Sequence, residues 1–244
     1  MFETITMISS DPAATAERCR NEERLLPLAK TSLLVILGGT GTFGLVLGGT
    51  RDWTQACATA AKLPLVWIVT LAVCGPAFYA ITAVLGQPLR LRALLALTLA
   101  ATARASLVLF ALLPVLALLP DILSGSFAGR GPLEAPAYHK VTLFAAIIFA
   151  VSGVAALGVL LRGFEGTLRT LPLVGMFALA FFCVAGQTAW SLRPFVGRPA
   201  QADVPLLRAP EGTFLEAMVM GIDSARGRYH DDCAHQLDCA GRAP

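Results

Sequence analysis

Four nearly charge-free apolar runs, each of 20 residues or more, dominate the middle of this chain. They are Leu63–Leu85, Ala93–Leu119, Val141–Leu161 and Leu171–Trp190. An α-helix rises about 1.5 Å per residue, so about 20 residues cross the roughly 30 Å of hydrocarbon in a bilayer. One such run is compatible with a buried helix of a soluble domain, whereas four in a chain of 244 residues are not. The runs therefore predict an all-α, polytopic transmembrane helical bundle.

The composition supports a membrane environment. Hydrophobic residues make up 56% of the chain and charged residues 14%, against roughly 25% charged residues in soluble proteins. The net charge is only +3 and no basic stripe with interleaved aromatic residues is present, so nucleic acid is not an expected partner. The six cysteines are scattered and imply no disulfide framework, and no cofactor is implied. We expect membrane lipids to be the immediate partners.

A glycine-rich, uncharged segment, Thr31–Thr50, precedes the four runs. Either it is a fifth spanning helix, or it is a re-entrant or interfacial element. Gly44 and Gly48 form a GxxxG pair, and Thr40 lies one turn earlier on the same face. Small residues at this spacing let helix backbones approach closely, so these three residues are predicted to pack helices together. The alternative is that glycine is ordinary filler of a membrane helix.

The distribution of Lys and Arg favours an even number of crossings. With five spans, eight of these residues lie on one side of the membrane and ten on the other. With four spans, the split is fourteen against four. Positive residues mark the cytoplasmic side, so the uneven split predicts four crossings with both termini in the cytoplasm. We expect a multi-pass protein of the bacterial cytoplasmic (inner) membrane.

The chain divides by composition into four parts. Residues 1–30 form a polar N-terminal segment of mixed charge, expected to be a short surface helix or partly disordered. Residues 31–195 form the transmembrane helical domain, and residues 196–222 form a membrane-proximal amphipathic segment whose amphipathic part is too short to span. Residues 223–244 form a polar tail. No internal repeat is visible, so the inverted-repeat design of many transporters finds no support.

Arg104 lies well inside the run Ala93–Leu119, where an ionisable side chain is costly and is a candidate functional residue. No carboxylate lies in any of the four runs to pair with it. Its candidate partners are backbone carbonyls freed by Pro76 or Pro114, the amide of Gln187, or a lipid phosphate. Arg104 and Gln187 therefore form a candidate intramembrane polar site. Its role is either structural and lipid-anchoring, or part of an anion pathway.

Both ends of the spanning region carry residues typical of a membrane interface. At the first run, Lys62 supplies an interfacial cation and Pro64 lies near the first helical turn, so the two residues are predicted to mark the start of this helix. The end of the last run carries an interfacial motif of Trp190, Arg193, Pro194, Phe195 and Gly197. Tryptophan suits the aromatic belt, arginine can reach lipid phosphates, and proline ends the helix.

Two stretches of the chain carry distinctive residue patterns. The first is Ala61-Lys62-Leu63-Pro64, followed by Cys74-Gly75-Pro76-Ala77-Phe78-Tyr79 and Leu85-Gly86. The second is Gly186-Gln187, followed by Trp190-Ser191-Leu192-Arg193-Pro194-Phe195-Val196-Gly197-Arg198-Pro199, with Arg208 and Phe214 downstream. Together they resemble a largely uncharacterised family of bacterial polytopic membrane proteins with a WxLRPFxGxP motif, loosely labelled Yip1-like. The resemblance covers roughly Trp53 to Val219 and implies a common fold, but no activity. It implies an apolar residue near Arg104, so this arginine departs from the family pattern.

The polar tail contains two His and two Cys within ten residues. His230, Cys233, His235 and Cys239 could supply four zinc ligands. Their spacing matches no standard zinc finger, because no CxxC is present and the two pairs interleave. The alternative is a solvated tail with incidental ligands.

No catalytic constellation is recognisable in the sequence, which lacks GxSxG, HExxH and Walker patterns. We therefore predict a non-enzymatic structural or accessory subunit of a self-associating membrane assembly, as a homo-oligomer or within a larger complex. The alternative is a channel or permease for a small solute or anion, lined by Arg104, Gln187 and a kink at Pro76. A third hypothesis is a membrane enzyme that acts on lipid at the Asp121–His139 loop.

Overall fold

A computed structural model describes residues 1–86, 89–124, 135–164, 170–195 and 212–214; within 120–124 and 135–140 it describes the backbone only. These residues contain eight α-helices and no strand, which confirms the all-α class. The helices are α1 (Phe2–Ser10), α2 (Pro12–Arg20), α3 (Leu25–Gly49), α4 (Trp53–Val84), α5 (Leu91–Ala111), α6 (Leu113–Ser124), α7 (Ala135–Gly163) and α8 (Thr170–Leu192). The chain forms two compact units, Met1–Arg208 and Ala209–Pro244, and these eight helices belong to the first.

Five of the described helices are long and apolar enough to cross a membrane, which confirms a polytopic transmembrane bundle. They are α3, α4, α5, α7 from Val141 onward, and α8. Helix α3 is continuous from Leu25 to Gly49, so the glycine-rich segment is a full-length helix rather than a short interfacial element. The structure thus favours five crossings, whereas the Lys and Arg distribution predicts four, and the number of crossings stays a prediction. That rule weighs charges close to the spans, whereas six of the charges counted lie beyond the last apolar run. The side on which each terminus lies stays a prediction.

Helix α4 begins ten residues before the apolar run that predicted it. Asp52 caps its N-terminus by accepting a hydrogen bond from the Gln55 N–H at 2.7 Å. Lys62 and Pro64 therefore lie in the helix interior, and the prediction that they mark its start is wrong. The first ten residues are polar enough to break the apolar run, but they contain good helix formers such as alanine.

Helix α4 packs antiparallel to two other spans, α3 and α8. Helices α3 and α4 form a hairpin with a short turn between them. Helix α8 packs along α4, where Phe78 stacks on Phe177 with ring centroids 4.0 Å apart. Further along the same pair, Trp67 meets Phe181 edge to face, with centroids 5.9 Å apart.

Helix α5 is the centre of the bundle. Of its spanning window 67% is buried, against 28% for α7 and 22% for α8. It is rich in alanine, and such small side chains let α2, α3 and α7 approach it closely. The most exposed apolar faces of the bundle therefore belong to α7 and α8.

The first twenty residues form two short helices that pack into the bundle. Asp11 separates them, and its carboxylate accepts hydrogen bonds from two backbone N–H groups of α2, at 3.0 and 2.9 Å. Pro12 is the first residue of α2, a position that proline favours. Ile8, Ala16 and Cys19 are buried in the main apolar cluster. The structure differs here from the expected surface helix or partly disordered segment, because both short helices carry apolar residues that are buried in the bundle.

Candidate functional site

Three polar side chains on one face of α4 bind the chain that follows α8. Gln55, Thr59 and Lys62 are spaced as successive turns of a helix, so they point to the same side. The Gln55 amide donates to the carbonyl oxygens of Pro194 and Phe195, each at 2.9 Å. The Thr59 hydroxyl donates to the Phe195 carbonyl at 2.7 Å. The Lys62 ammonium donates to the Pro194 carbonyl at 3.0 Å. We name these three side chains the α4 clasp.

The α4 clasp is buried inside the bundle. Gln55 and Lys62 are each 7% exposed, and Thr59 is fully buried. A buried polar group is costly unless it is hydrogen-bonded. Helix α8 ends at Leu192, so the carbonyls that follow it lie outside the regular hydrogen bonding of the helix. The α4 clasp and these carbonyls therefore satisfy each other and fasten the segment after α8 to the first third of α4.

The glycine face of α3 lies directly behind the α4 clasp. A Cβ atom at Gly44 would lie 2.5 Å from the carbonyl oxygen of Thr59, and one at Gly48 would lie 2.5 Å from that of Gln55. Thr40 is fully buried, and its hydroxyl bonds within its own helix. The structure thus places the predicted packing residues Gly44 and Gly48 against α4 of the same chain. Only glycine allows so close an approach of the two backbones.

The interfacial motif at the end of α8 has two functions in the structure. The guanidinium carbon of Arg193 lies 3.5 Å from the centroid of the Trp190 ring, a cation–π contact. Pro194 and Phe195 present their carbonyls to the α4 clasp. The helix ends two residues before Pro194, as predicted. Gly197 lies outside the described residues.

Arg104 binds a backbone carbonyl, which was one of the predicted alternatives, but the carbonyl belongs to an unexpected helix. The guanidinium donates to the Ile8 carbonyl oxygen at 3.1 Å. Ile8 is fully buried in the last turn of α1, where carbonyls lack helix donors, and the residue four places later is Pro12, which has no N–H. A cation also suits the negative end of a helix dipole. The proline that frees this carbonyl is thus Pro12, not Pro76 or Pro114.

The structure does not join Arg104 to Gln187. Arg104 is half-buried on α5 and its described hydrogen bond goes to Ile8, whereas Gln187 is exposed on α8. The two members of the predicted intramembrane polar site therefore have different surroundings.

Two small cavities lie at the end of the bundle where α4 ends and α5 begins. One, of about 280 Å³, is mainly polar and is lined by Arg20, Asn21, Glu22, Leu89, Arg90 and Ala93. The other, of about 250 Å³, is apolar and is lined by Ala80, Ile81, Val84, Leu85 and Met176. Neither contains Arg104, Gln187 or Pro76, the residues predicted to line a path.

Two of the predicted sites belong to the polar tail and to the loop before α7. The tail residues His230, Cys233, His235 and Cys239 lie outside the described part of the chain, as do the side chains of the Asp121–His139 loop. In the part that is described, no group of three or more His, Cys, Asp or Glu residues could hold a metal ion.

Sequence reasoning missed Gln55 and Thr59, and it assigned Lys62 to the membrane interface. Two signals were available. Asp52 and Gln55 have the spacing of a helix N-cap and its third residue, which indicates a helix start at Trp53. The same-face spacing of the three polar residues indicates one polar stripe on that helix.

Comparison of the chain with protein-family models, curated proteins and solved structures found no match. The resemblance to the WxLRPFxGxP family therefore stays a prediction. The α4 clasp does connect its two stretches in space, since Lys62 of the first binds the Pro194 carbonyl of the second.

Proposed function

We propose that this protein is a non-enzymatic structural or accessory subunit of an assembly in the bacterial cytoplasmic membrane. The observation that carries the proposal is how the polar side chains within the spanning helices are used. The α4 clasp and Arg104 each donate to backbone carbonyls of segments outside the spans. Each of these side chains is used to attach another segment of the chain to the bundle. This use of buried polar groups supports a scaffold rather than a reaction centre.

Self-association through small residues needs a different surface from the one that the sequence predicted. Gly44 and Gly48 are occupied by α4 of the same chain. Glycines with open space around them lie on the outer sides of other spans: a Cβ atom at Gly153 or Gly175 would have no neighbour within 4 Å. These two glycines lie on α7 and α8, the least buried spans. We expect any contact between subunits to involve these outer faces.

Crosslinking of the full-length protein in nanodiscs and in mild detergent tests this proposal. We expect crosslinked oligomers or a copurifying partner. We expect the yield of either to fall when Gly153→Leu and Gly175→Leu add bulk to the outer faces of α7 and α8. Gly38→Leu, on an open side of α3, is the matched control, since it adds the same bulk to a different helix. A protein that stays monomeric at all crosslinker concentrations, with no partner, would contradict the proposal.

A channel or permease for a small solute or anion is the second candidate, favoured by the presence of two cations, Lys62 and Arg104, within spanning helices. Flux of anions into proteoliposomes discriminates the two functions. Transport that is lost in Arg104→Ala would support a permease, whereas no flux above that of protein-free vesicles would support the scaffold.

A further inference from the structure

Helices α1 and α2 form a hairpin. Its tip is at Asp11, between the two helices, and its base is the turn after α2, at the end of the bundle where α5 begins. The tip lies far from that end of the bundle. Glu22, just after α2, pairs with Arg90 at the start of α5, with 3.2 Å between nitrogen and oxygen. Arg104, which bonds Ile8, lies fourteen residues after Arg90, or about 21 Å along the helix axis. The Met7 carbonyl accepts a hydrogen bond from the Thr15 hydroxyl at 3.2 Å, so α1 folds back along α2.

The lengths of these elements agree with an inserted hairpin. Nine residues of α2 rise about 13 Å from the end of the bundle. Long side chains on a helix lean toward its N-terminus, so the Arg104 guanidinium points back toward that same end by several ångströms. The tip of the hairpin and the guanidinium therefore meet at one level along α5, and the distance of this level from Arg90 is shorter than the roughly 30 Å thickness of a hydrocarbon layer.

The base of the hairpin is held weakly. In the turn between α2 and α3, Glu22 and Arg24 adopt left-handed backbone conformations, with φ of 55° and 47°, which are strained for residues other than glycine. The ion pair of Glu22 with Arg90 is solvent-accessible, since the Arg90 side chain is 80% exposed. The polar cavity of about 280 Å³ lies between this turn and α5.

We propose that α1 and α2 form a detachable re-entrant hairpin, and that Arg104 is the positioning residue that latches its tip into the bundle. Docking buries Ile8, Ala16 and Cys19 against α5 and its neighbours. Detachment swings the hairpin about the strained turn at Glu22 and Arg24 and uncovers that face of α5.

The buried thiol of Cys19 reports detachment. It is 1% exposed, and burial raises its pKa to about 12, against the opposing effect of Arg18, so it is almost entirely in the unreactive thiol form at neutral pH. The experiment uses the full chain in lipid nanodiscs, with Cys57, Cys183, Cys233 and Cys239 replaced by serine, and N-ethylmaleimide as the probe. Cys74 is retained, because it is buried elsewhere, between α4 and α8.

We expect Arg104→Leu to speed the modification of Cys19 by about tenfold to a hundredfold, the factor for losing a hydrogen bond from a charged donor. Modification of Cys74 is expected to stay unchanged, since only local opening is affected. Arg104→Lys, which keeps a cationic donor, is expected to restore most of the protection. Unchanged protection of Cys19 in Arg104→Leu would overturn the proposal, and so would an equal increase at Cys74, because that would indicate general loosening.

A second measurement keeps the proposal testable if Arg104→Leu does not fold. A fluorophore on Ser10→Cys, at the exposed tip of the hairpin, is quenched by nitroxide lipids labelled at different depths of the acyl chain. We expect the strongest quenching of the otherwise unchanged protein by nitroxides placed below the head groups. Quenching only by head-group nitroxides would place the tip at the surface and would overturn the re-entrant hairpin.

Discussion

Lys62 and Arg104 are two cations within spanning helices that both bind backbone carbonyls, yet they differ in what surrounds them. Lys62 is 7% exposed and acts beside Gln55 and Thr59, so that three side chains hold two carbonyls. Arg104 is half-buried and holds one carbonyl, that of Ile8. From this difference we expect a cation in such a bundle to hold a segment more firmly where neighbouring donors bind the same segment.

The largest expected effect comes from enlarging Gly48, whose face of α3 packs against the α4 backbone at the α4 clasp. Gly48→Val places side-chain atoms against the backbone of Gln55, which cannot move without separating α3 from α4. We expect a loss of about 1–3 kcal/mol in the free energy of unfolding, or a failure to fold. Thermal unfolding in detergent measures it. Gly38→Val is the control, because it has the same helix propensity cost and no neighbour within 4 Å; equal destabilisation by both variants would contradict the close approach of the two helices.

Removing the donors of the α4 clasp is expected to have the next largest effect. Gln55→Leu combined with Thr59→Val leaves the Phe195 carbonyl without its two described donors, at a cost of about 1–3 kcal/mol for a buried unsatisfied group. Chemical denaturation monitored by tryptophan fluorescence measures the loss.

Thr70→Val is the matched control for the clasp variant. Thr70 is also fully buried on α4, but its hydroxyl donates to the Val66 carbonyl within the same helix. We therefore expect its loss to be small. A clasp variant no less stable than this control would show that the α4 clasp contributes nothing.

Arg104→Leu tests whether Arg104 contributes less to stability than the α4 clasp does. We expect this variant to change the free energy of unfolding by less than about 1 kcal/mol. The variant loses one hydrogen bond, but it also removes a charge whose placement at mid-membrane costs about 2.5–3.5 kcal/mol on insertion scales. Thermal unfolding of this variant beside the clasp variant measures the difference. A larger loss for Arg104→Leu than for the clasp variant would reverse the ranking of the two sites.

The smallest effect is expected at the base of the hairpin. Glu22→Gln removes an exposed ion pair with Arg90, and such pairs contribute about 0–1 kcal/mol. We expect an unfolding midpoint within experimental error of the unchanged protein. A clear loss of stability, absent at high salt, would show that this ion pair supports the hairpin more than its exposure indicates.

The class of fold could be predicted from the sequence because a helix surrounded by lipid needs a long run of apolar side chains, and such runs are visible in the sequence. The length of a run such as Leu171–Trp190 predicts the length of its helix, and the position of Pro194 predicts the end of α8. Helix starts were harder, since α4 begins in a polar stretch that only the spacing of Asp52 and Gln55 indicates.

The α4 clasp could not be predicted in full, because its partners are 132 to 140 residues apart in the chain. The sequence also does not indicate which backbone carbonyls act as acceptors, since every residue has one. For Arg104, the sequence left a freed carbonyl, the Gln187 amide and a lipid phosphate open as partners, and the carbonyls considered were those freed by Pro76 and Pro114 within the apolar runs. The relevant proline, Pro12, lies in a segment that was expected to remain outside the bundle.

The most direct test is the membrane crossing of α3, which the structure supports and the charge distribution does not. Asn21→Cys and Trp53→Cys, made separately in a chain without other cysteines, place exposed thiols just before and just after this helix. A membrane-impermeant maleimide is added to sealed vesicles of one orientation, before and after permeabilisation. We predict that one thiol reacts in sealed vesicles and the other only after permeabilisation, whereas reaction of both from the same side would contradict the five-span bundle.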